Sequence, residues 1–348
     1  MTATEQPDDD VTAMLRDSLR GFLDEHWRPR GAMASSSPDE ISAIWRKLVG
    51  QGVAALGAQG DEGGLAEILV VMAELGRAGC PAPMWSAALA NLAISGSQSD
   101  VVTDLLARLH SGKAIVAFSF GALDPDRGTG SIEVAINAAT GVLRCVEAAG
   151  SATHLLVALD RAHLALIELG RPGVECVATR AMGAWGLYEI RLNAAPLTRI
   201  AGGGVDLDEL RIKGKAMLTA RAYGAARRAF ELAVDYARER HQFGQPIGKF
   251  QAIQHKLANC LIALEGVRLI LDHTARLHDG GDADWRYFAD CASAFSGSAL
   301  RQVALETQHT FGAIGYAEEH EAPIHFKRVH LDTIALGGAS DADRKSVV

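Results

Sequence analysis

The chain carries, between two long Ala- and Leu-rich stretches of helical spacing, the segment Arg240-His241-Gln242-Phe243-Gly244-Gln245-Pro246-Ile247-Gly248-Lys249-Phe250-Gln251. Its glycines and its proline predict a turn that joins two helices. Such a turn presents a permanent cation (Arg240), an aromatic ring (Phe243) and several side-chain amides at one place. These groups suit the binding of an anionic cofactor that also carries a ring.

The composition excludes several classes of function. The 348 residues are 48% hydrophobic and carry a formal net charge of −8, which suits a well-buried globular protein with two or three packed units. The sequence has no stripe of Lys and Arg that would neutralise a nucleic-acid backbone, so no nucleic-acid partner is expected. Any anion site is therefore local.

The five cysteines are widely spaced, and no pair has the spacing of a zinc knuckle or a redox motif. We therefore expect no metal site. We also expect the cysteines to be buried and to behave as small apolar residues in a reducing cytosol, namely Cys80, Cys145, Cys176, Cys260 and Cys291. The polar start from Met1 to Asp10 lacks the pattern of a signal peptide. No apolar run reaches the roughly 18 to 20 residues of a membrane span. These features predict a cytoplasmic protein without a membrane partner.

The spacing of apolar residues divides the chain into three predicted domains. Residues 1–112 have the spacing of a helical bundle, with one helix start at Ser37-Pro38-Asp39-Glu40. Residues 113–205 consist of short Val-, Ile- and Leu-rich runs bounded by turn residues, which predicts a mostly antiparallel sheet or a small barrel. Residues 206–348 return to helical spacing and predict a four-helix bundle. The predicted fold is mainly α with a central β-domain.

In the first domain, the apolar spacing predicts helices over residues 11–22, 41–48, 65–75 and 101–109. In the second domain, the short apolar runs predict strands over residues 115–118, 132–136, 154–159, 163–167 and 188–192. In the third, one face is formed by small residues, namely Ala222, Gly224, Ala225, Ala226 and Ala229. This face lets another helix approach closely, either inside the bundle or at a subunit interface.

Two motifs make the chain resemble the acyl-CoA dehydrogenase family, whose order of helical domain, β-domain and helical bundle it shares over nearly its whole length. The first motif runs from Tyr236 to Ile247 and continues through Phe250-Gln251 and Gln254-His255-Lys256-Leu257-Ala258. The second runs from Gln308 to Tyr316 and continues at Glu319-His320. About a dozen positions of the first motif match the family pattern at fixed spacing.

The resemblance implies FAD as the cofactor, lying across a subunit boundary. In this pattern Arg240 contacts the pyrophosphate of FAD, Gln242 and Gln251 make polar contacts, and Phe243 supplies an apolar wall. The alternative is that Arg240 pairs with Glu239 or Asp235 at a solvated helix end. In the second motif Gln308, His309 and Gly312 resemble the residues that approach the partner's FAD, but the family glutamine aligns with His309 and the family's second glycine is Ala313.

The chain departs from the family where the flavin ring and the catalytic base are held. Typical members continue the first strand of the β-domain into a Thr-Glu-Pro segment that holds the flavin ring, and residues 118–125 lack it. The usual base, a glutamate counted from Arg328, falls on Gly337, and the family's alternative base position falls on Gly214. Glycine cannot take a proton, so we assign no catalytic residue to this chain.

Two acids lie near the lost glutamate in sequence. Asp332 precedes Gly337 and Asp341 follows it, and we expect both to be helix-end or surface carboxylates. Whether one of them replaces the base stays open. A further expectation is that four histidines are packing or surface residues, namely His309, His320, His325 and His330.

The retained arginine turn and the lost base together predict a division of labour between homologous subunits. Some bacterial acyl-CoA dehydrogenases are heterotetramers in which one kind of subunit holds a complete site, often encoded for the breakdown of fatty acids, dicarboxylic acids or steroid side chains. This chain resembles the smaller, degenerate subunit, which implies a hetero- or homo-tetramer, a homologous catalytic partner and an acyl-CoA substrate. Two alternatives remain: a flavin monooxygenase or oxidase on the same fold, and a scaffold subunit that binds no flavin.

Overall fold

The computed structural model describes residues 7–29, 36–60, 63–121, 130–179, 186–201, 206–317 and 319–335. The chain forms two compact units. The bundle unit comprises residues 1–34, 65–80 and 215–348, and the sheet unit comprises residues 35–64 and 81–214. The predicted domain boundaries at 112 and 205 follow changes in sequence character and stay a prediction.

Helices dominate the chain, and most strands lie in its middle, which confirms the predicted fold class. The helices are α1 (Pro7–His26), α2 (Pro38–Val49), α3 (Leu65–Arg77), α4 (Met84–Ile94), α5 (Asp100–His110), α6 (Leu207–Glu239), α7 (Gln251–Asp279), α8 (Trp285–Phe311) and α9 (Ala322–Ile334). The strands are β1 (Val116–Ser119), β2 (Gly130–Ala135), β3 (Ala138–Glu147), β4 (His154–Ala158), β5 (His163–Glu168), β6 (Val174–Ala178), β7 (Leu187–Pro196), β8 (Thr198–Ala201), β9 (His241–Gln242) and β10 (Gln245–Pro246).

The sheet unit contains two four-stranded sheets, in the orders β1-β4-β5-β8 and β2-β3-β7-β6. All pairs are antiparallel except β1 with β4, which run parallel from Val116 beside His154 to Ser119 beside Val157. The described strands form open sheets and not a closed barrel. Both sheets contribute large side chains to one apolar core, including Leu143, Leu155 and Ile190.

The start of α2 has the capping geometry that its sequence predicts. The Ser37 Oγ accepts a hydrogen bond from the Glu40 backbone N–H at 3.2 Å, and the Glu40 carboxylate accepts one from the Ser37 N–H at 2.9 Å. Pro38 occupies the first turn, where a backbone N–H has no intrahelical partner. The predicted helix start at residues 37–40 is confirmed.

The bundle unit contains α6 from Lys215 onward together with α7, α8 and α9, and also the earlier helices α1 and α3. Helix α3 crosses α6 at two glycines. A Cβ atom on Gly224 would lie 1.8 Å from the Ala73 carbonyl oxygen, and one on Gly76 would lie 1.9 Å from the Arg221 carbonyl oxygen. The small-residue face of α6 therefore packs within the chain at Gly224.

The expectation of buried cysteines is wrong for three of the five. Cys80 and Cys260 are buried, whereas Cys145 and Cys176 are exposed and Cys291 is half-buried. Cys145 lies where the register of β3 against β7 shifts, with a left-handed φ of 57°. Cys176 lies on β6, at the edge of its sheet, where one side of the strand has no neighbour among the described strands. No described helix is long and apolar enough to cross a membrane.

Candidate functional site

The predicted turn is a short hairpin that follows the end of α6. Strand β9 pairs with β10, with Gln242 opposite Gln245 and His241 opposite Pro246. The two central residues, Phe243 and Gly244, have φ values of 53° and 80°, as the tight turns of two-residue hairpins require. The hairpin is closed by a hydrogen bond from the Ile247 N–H to the Arg240 carbonyl oxygen at 2.8 Å.

The side chains at the tip of this hairpin point into open space. Phe243 is 93% exposed, although aromatic rings are normally buried. Its ring has only an edge-on contact with Phe250, at a centroid distance of 6.1 Å. Because left-handed backbone is unfavourable for a residue with a side chain, the structure holds a strained and exposed aromatic residue at this position.

The guanidinium group of Arg240 is exposed and has no ion pair or hydrogen bond within the part of the chain that the structure describes. The expected competitor for it, Asp235, is instead 3.4 Å from Arg238. Arg240 is therefore available to a ligand, and the alternative of a pair with Asp235 or Glu239 is not what the structure has.

The two glutamines of the first motif are also at the surface. Gln242 is exposed, and its amide donates to the His241 carbonyl oxygen at 2.8 Å, which leaves a second amide hydrogen and the side-chain oxygen open. Gln251 is exposed at the first residue of α7. The hairpin and the start of α7 thus present all four predicted cofactor contacts of this motif to solvent.

The second motif lies at the end of α8, close to the start of the hairpin. Tyr236 in the last turns of α6 packs on Phe311, with ring centroids 5.4 Å apart. This contact places the end of α8 and the hairpin at the same end of the bundle unit. His309 and Gly312 are exposed there, and Gly312 has a φ of 61°.

Gln308, in contrast, is turned into the chain. It is buried, and its amide nitrogen donates to the Gly315 carbonyl oxygen. The amide therefore holds the 3-10 turn from Gly312 to Tyr316 in place. The sequence did not single out two exposed apolar residues of this turn, Ile314 and Tyr316. The sequence feature that could have indicated these two residues is the presence of large apolar residues soon after the glycine that ends the helix.

Of the two glycines at the family's base positions, Gly214 lies within the described residues and Gly337 does not. Gly337 lies outside the described residues, as does Asp341. Gly214 is buried within α6, and its carbonyl oxygen accepts a hydrogen bond from the Trp85 indole N–H at 3.0 Å. Nothing at Gly214 can accept a proton from a substrate.

The end of β1 is closed by its own side chains. Phe118, Ser119 and Phe120 are buried, and the Gly121 N–H donates to the Ser119 Oγ at 3.2 Å. A Cβ atom on Gly121 would lie 2.3 Å from a methyl carbon of Leu143. Residues 122–125 of the same stretch lie outside the described residues.

Asp332 lies in the last turn of α9, as expected of a helix-end carboxylate, but it is a buried ion-pair partner and not a surface group. Its two oxygens accept hydrogen bonds from the Arg221 guanidinium at 2.9 and 2.8 Å, and Arg328 lies 3.4 Å away. The side chain is buried because α9 packs inside the bundle unit. A buried carboxylate held by two guanidinium groups is a structural group.

His325 is fully buried and its Nε2 is 2.9 Å from Glu321. Burial lowers the pKa of His325 and outweighs the opposing effect of Glu321, so the ring is neutral at neutral pH and donates to the carboxylate. Burial would raise the pKa of Glu321, but the hydrogen bonds from His325 and Arg228 outweigh it and lower this pKa to about 2. The described residues contain no group of three or more His, Cys, Asp or Glu side chains that would hold a metal.

The bundle unit also contains a narrow cavity among α6, α8 and α9, which the sequence did not indicate. It is partly open and has room for about one water-sized group. Its lining consists of Lys215, Leu218, Thr219, Ser293, Ser296, Gly297, Asp332, Thr333 and Ala335. Most of these residues are polar.

Residues 202–347 match the acyl-CoA dehydrogenase C-terminal domain. Over most of its length the chain is similar to "Acyl-CoA dehydrogenase IpdE2" of Mycobacterium tuberculosis (strain ATCC 25618 / H37Rv), with 30% identity over 91% of this chain and 90% of that protein.

Two solved structures have the same fold. The ChsE4-ChsE5 complex from Mycobacterium tuberculosis matches with a TM-score of 0.78 and 24% identity, covering 99% of this chain and 97% of that one. The FAD complex of PigA matches with a TM-score of 0.79 and 20% identity, covering 100% of this chain and 98% of that one.

Proposed function

Because the chain belongs to the acyl-CoA dehydrogenase family, we propose that it acts in the FAD-dependent α,β-desaturation of an acyl-CoA thioester, as the subunit that completes the FAD site of a homologous catalytic subunit. The observation that carries this proposal is the exposed hairpin, on which Phe243 is 93% exposed and Arg240 is free of described partners. The matching fold of the ChsE4-ChsE5 complex and of FAD-bound PigA supports it.

The hairpin suits FAD in charge and in shape. Arg240 offers a permanent, forked donor for a pyrophosphate, and the exposed amides of Gln242 and Gln251 offer further hydrogen bonds. Phe243 offers an apolar ring whose left-handed backbone costs roughly 1 to 2 kcal/mol in the free chain. A ligand that covers the ring compensates for both the exposure and the strain. FAD itself supplies the hydride acceptor of the reaction.

The end of β1 does not suit the flavin ring. A strand end that holds a flavin needs open backbone N–H groups and hydroxyls, whereas the Gly121 N–H is already bonded to Ser119 and the neighbouring phenylalanines are buried. We infer that this chain contacts FAD through the hairpin side and that the catalytic subunit holds the ring.

The groups nearest to the family's base positions favour a chain without its own catalytic base. Gly214 has no side chain, and its carbonyl oxygen is bonded to Trp85. Asp332 is engaged by Arg221 and Arg328. Position 337 is glycine in the sequence. The acyl group, whether fatty or steroid-derived, stays a prediction, as does the tetrameric assembly.

The test is flavin retention by the complex that the chain forms with its homologous partner. Arg240→Ala and Phe243→Ala should each lower the ratio of FAD to protein, measured by flavin absorbance after gel filtration. Arg238→Ala is the matched control, since Arg238 is also exposed at the same helix end but pairs with Asp235. Equal FAD content in all variants would contradict the role of the hairpin.

Three further outcomes separate the alternatives. Robust acyl-CoA turnover by the chain alone would contradict the supporting role. A complex that contains no FAD would point to a scaffold. Rapid reaction of the reduced flavin with oxygen in stopped-flow measurements would point to an oxidase or monooxygenase.

A further inference from the structure

The narrow cavity of the bundle unit is lined by an unusual number of hydroxyl groups. Thr219 on α6, Ser293 and Ser296 on α8, and Thr333 on α9 all line it, and all four are buried. Only Leu218, Gly297 and Ala335 give the lining an apolar part. A site for a plain hydrocarbon has the opposite composition.

Three of these hydroxyl groups use their hydrogen within their own helix, so only their oxygen lone pairs remain to bind a ligand. Thr219, Ser293 and Thr333 each donate their hydroxyl hydrogen to the carbonyl oxygen four residues earlier in the same helix, at 2.9, 3.0 and 2.8 Å. The donor is used, whereas the oxygen can still accept a hydrogen bond. These residues therefore favour a ligand that donates.

Ser296 behaves differently from the other three. It is 1% exposed, and its Oγ has no hydrogen-bond partner within the described part of the chain. It stands one turn after Ser293 on the same helix, yet it does not bond to its own helix as Ser293 does. A buried hydroxyl without a partner is unfavourable unless a ligand or water engages it. Ser296 therefore supplies an open donor at the cavity wall.

The two charged residues of the lining have different roles. The carboxylate of Asp332 is satisfied by Arg221 and Arg328, so it does not select the ligand. Lys215 is buried at the wall and carries an ammonium group, which can only donate, but its interactions within the chain mean that it is not counted as an open donor. The cavity thus combines an open donor at Ser296 with acceptors at three hydroxyl oxygens.

We propose that this cavity binds a hydroxyl group carried by the acyl chain of the substrate, which makes Ser296 a specificity-determining residue for hydroxylated acyl-CoA thioesters. A hydroxyl group both donates and accepts, and it has the size of the space. A methyl group of similar size would leave Ser296 unpaired and the three acceptors unused. This inference rests on the proposed function, because it takes the ligand to be an acyl-CoA.

The experiment measures binding of paired thioesters to the FAD-containing complex by isothermal titration calorimetry. The probes are hydroxyacyl-CoA thioesters of increasing chain length, from hydroxybutanoyl-CoA upward, each compared with the non-hydroxylated thioester of the same length. At the length that reaches the cavity, the hydroxylated member should bind about 10-fold more tightly, as one buried hydrogen bond gives.

Ser296→Ala should abolish this preference while leaving the thermal midpoint of the complex unchanged or higher, because it removes an unpaired buried hydroxyl. Ser298→Ala is the control, since Ser298 is exposed on the same helix and should leave the preference intact. Equal affinity for both members at every length, or a preference that survives in Ser296→Ala, would overturn the subsite and leave the proposed function standing. Failure of every thioester to bind would overturn both.

Discussion

The crossing of α3 and α6 makes Gly224→Ala a destabilising substitution, although alanine is the better helix former. A Cβ atom at this position would lie 1.8 Å from the Ala73 carbonyl oxygen and 2.6 Å from its carbonyl carbon, and ordinary contacts begin at 3.4 Å. The obstacle is backbone, which cannot rotate away. The two helices must therefore separate locally by more than about 1 Å, which removes roughly half of the dispersion energy of the neighbouring contacts.

The expected loss follows from two opposing terms. Overpacking of this kind costs about 3 kcal/mol, and the higher helix propensity of alanine offsets about 1 kcal/mol. We expect Gly224→Ala to lower the free energy of unfolding by about 2 kcal/mol.

The matched control is Gly21→Ala, since Gly21 is an exposed residue of α1 with open space where a Cβ would stand. This variant should gain about 1 kcal/mol from helix propensity alone. Urea unfolding followed by circular dichroism at a fixed protein concentration measures both variants. If Gly224→Ala were as stable as Gly21→Ala, the close approach of α3 and α6 would be refuted.

Other predictions concern pH and single contacts. Glu321 has a pKa of about 2 against an ordinary 4.5. It therefore adds about 3 kcal/mol to the free energy of unfolding above pH 4.5, and this contribution is lost as the pH falls toward 2. Acid unfolding curves of Glu321→Gln should lack this pH dependence, and a curve identical to that of the unsubstituted chain would contradict it. Asp332→Asn removes the negative charge from the buried ion pair with Arg221 and should cost about 3 to 5 kcal/mol in thermal unfolding, which an unaltered midpoint would disprove. Ser37→Ala removes the cap of α2 and should lower the free energy of unfolding in urea by about 1 kcal/mol. A loss near zero would show that the cap does not stabilise the chain.

Local signals in the sequence were sufficient for several elements. The helix start at Ser37 was predictable because a capping box depends on residues three positions apart. The strands β4 and β5 were predictable because each is a short run of Val, Ile, Leu and Ala bounded by turn residues. In each case the physical cause and the sequence signal involve the same few neighbours.

Other elements had no local signal. Helix α4 is buried on nearly all sides, so its apolar residues show no helical period that could have indicated it. Strand β3 contains Ala139, Gly141 and Arg144, and its pairing with β2 and β7 decides its conformation. Among the described strands, β6 pairs with β7 alone, and it has exposed polar residues. Tertiary pairing, which a single sequence does not display, determines these elements.

The candidate site shows the same division between local and distant causes. The turn between α6 and α7 was predictable because its glycines and its proline specify a break between two helices. The ion pair of Asp332 was not, because its partner Arg221 lies 111 residues earlier in the chain. The inward position of Gln308 was also hidden, since it depends on how the turn to Gly315 closes.

The physical argument for the proposed supporting role is the difference between polar groups that are bonded within the chain and polar groups that are open to a ligand. Near the family's base positions, the polar groups already have hydrogen-bond partners within the chain. The Gly214 carbonyl oxygen accepts a hydrogen bond from Trp85, and the Asp332 carboxylate accepts one from Arg221. At the hairpin the opposite holds, because Arg240 has no described partner and the ring of Phe243 is exposed on strained backbone. Polar groups that have partners within the chain stabilise its fold, whereas groups that are open or strained are stabilised only when a ligand binds to them. The hairpin is therefore the part of the described chain that a bound ligand would stabilise, which is the physical basis of the proposed supporting role.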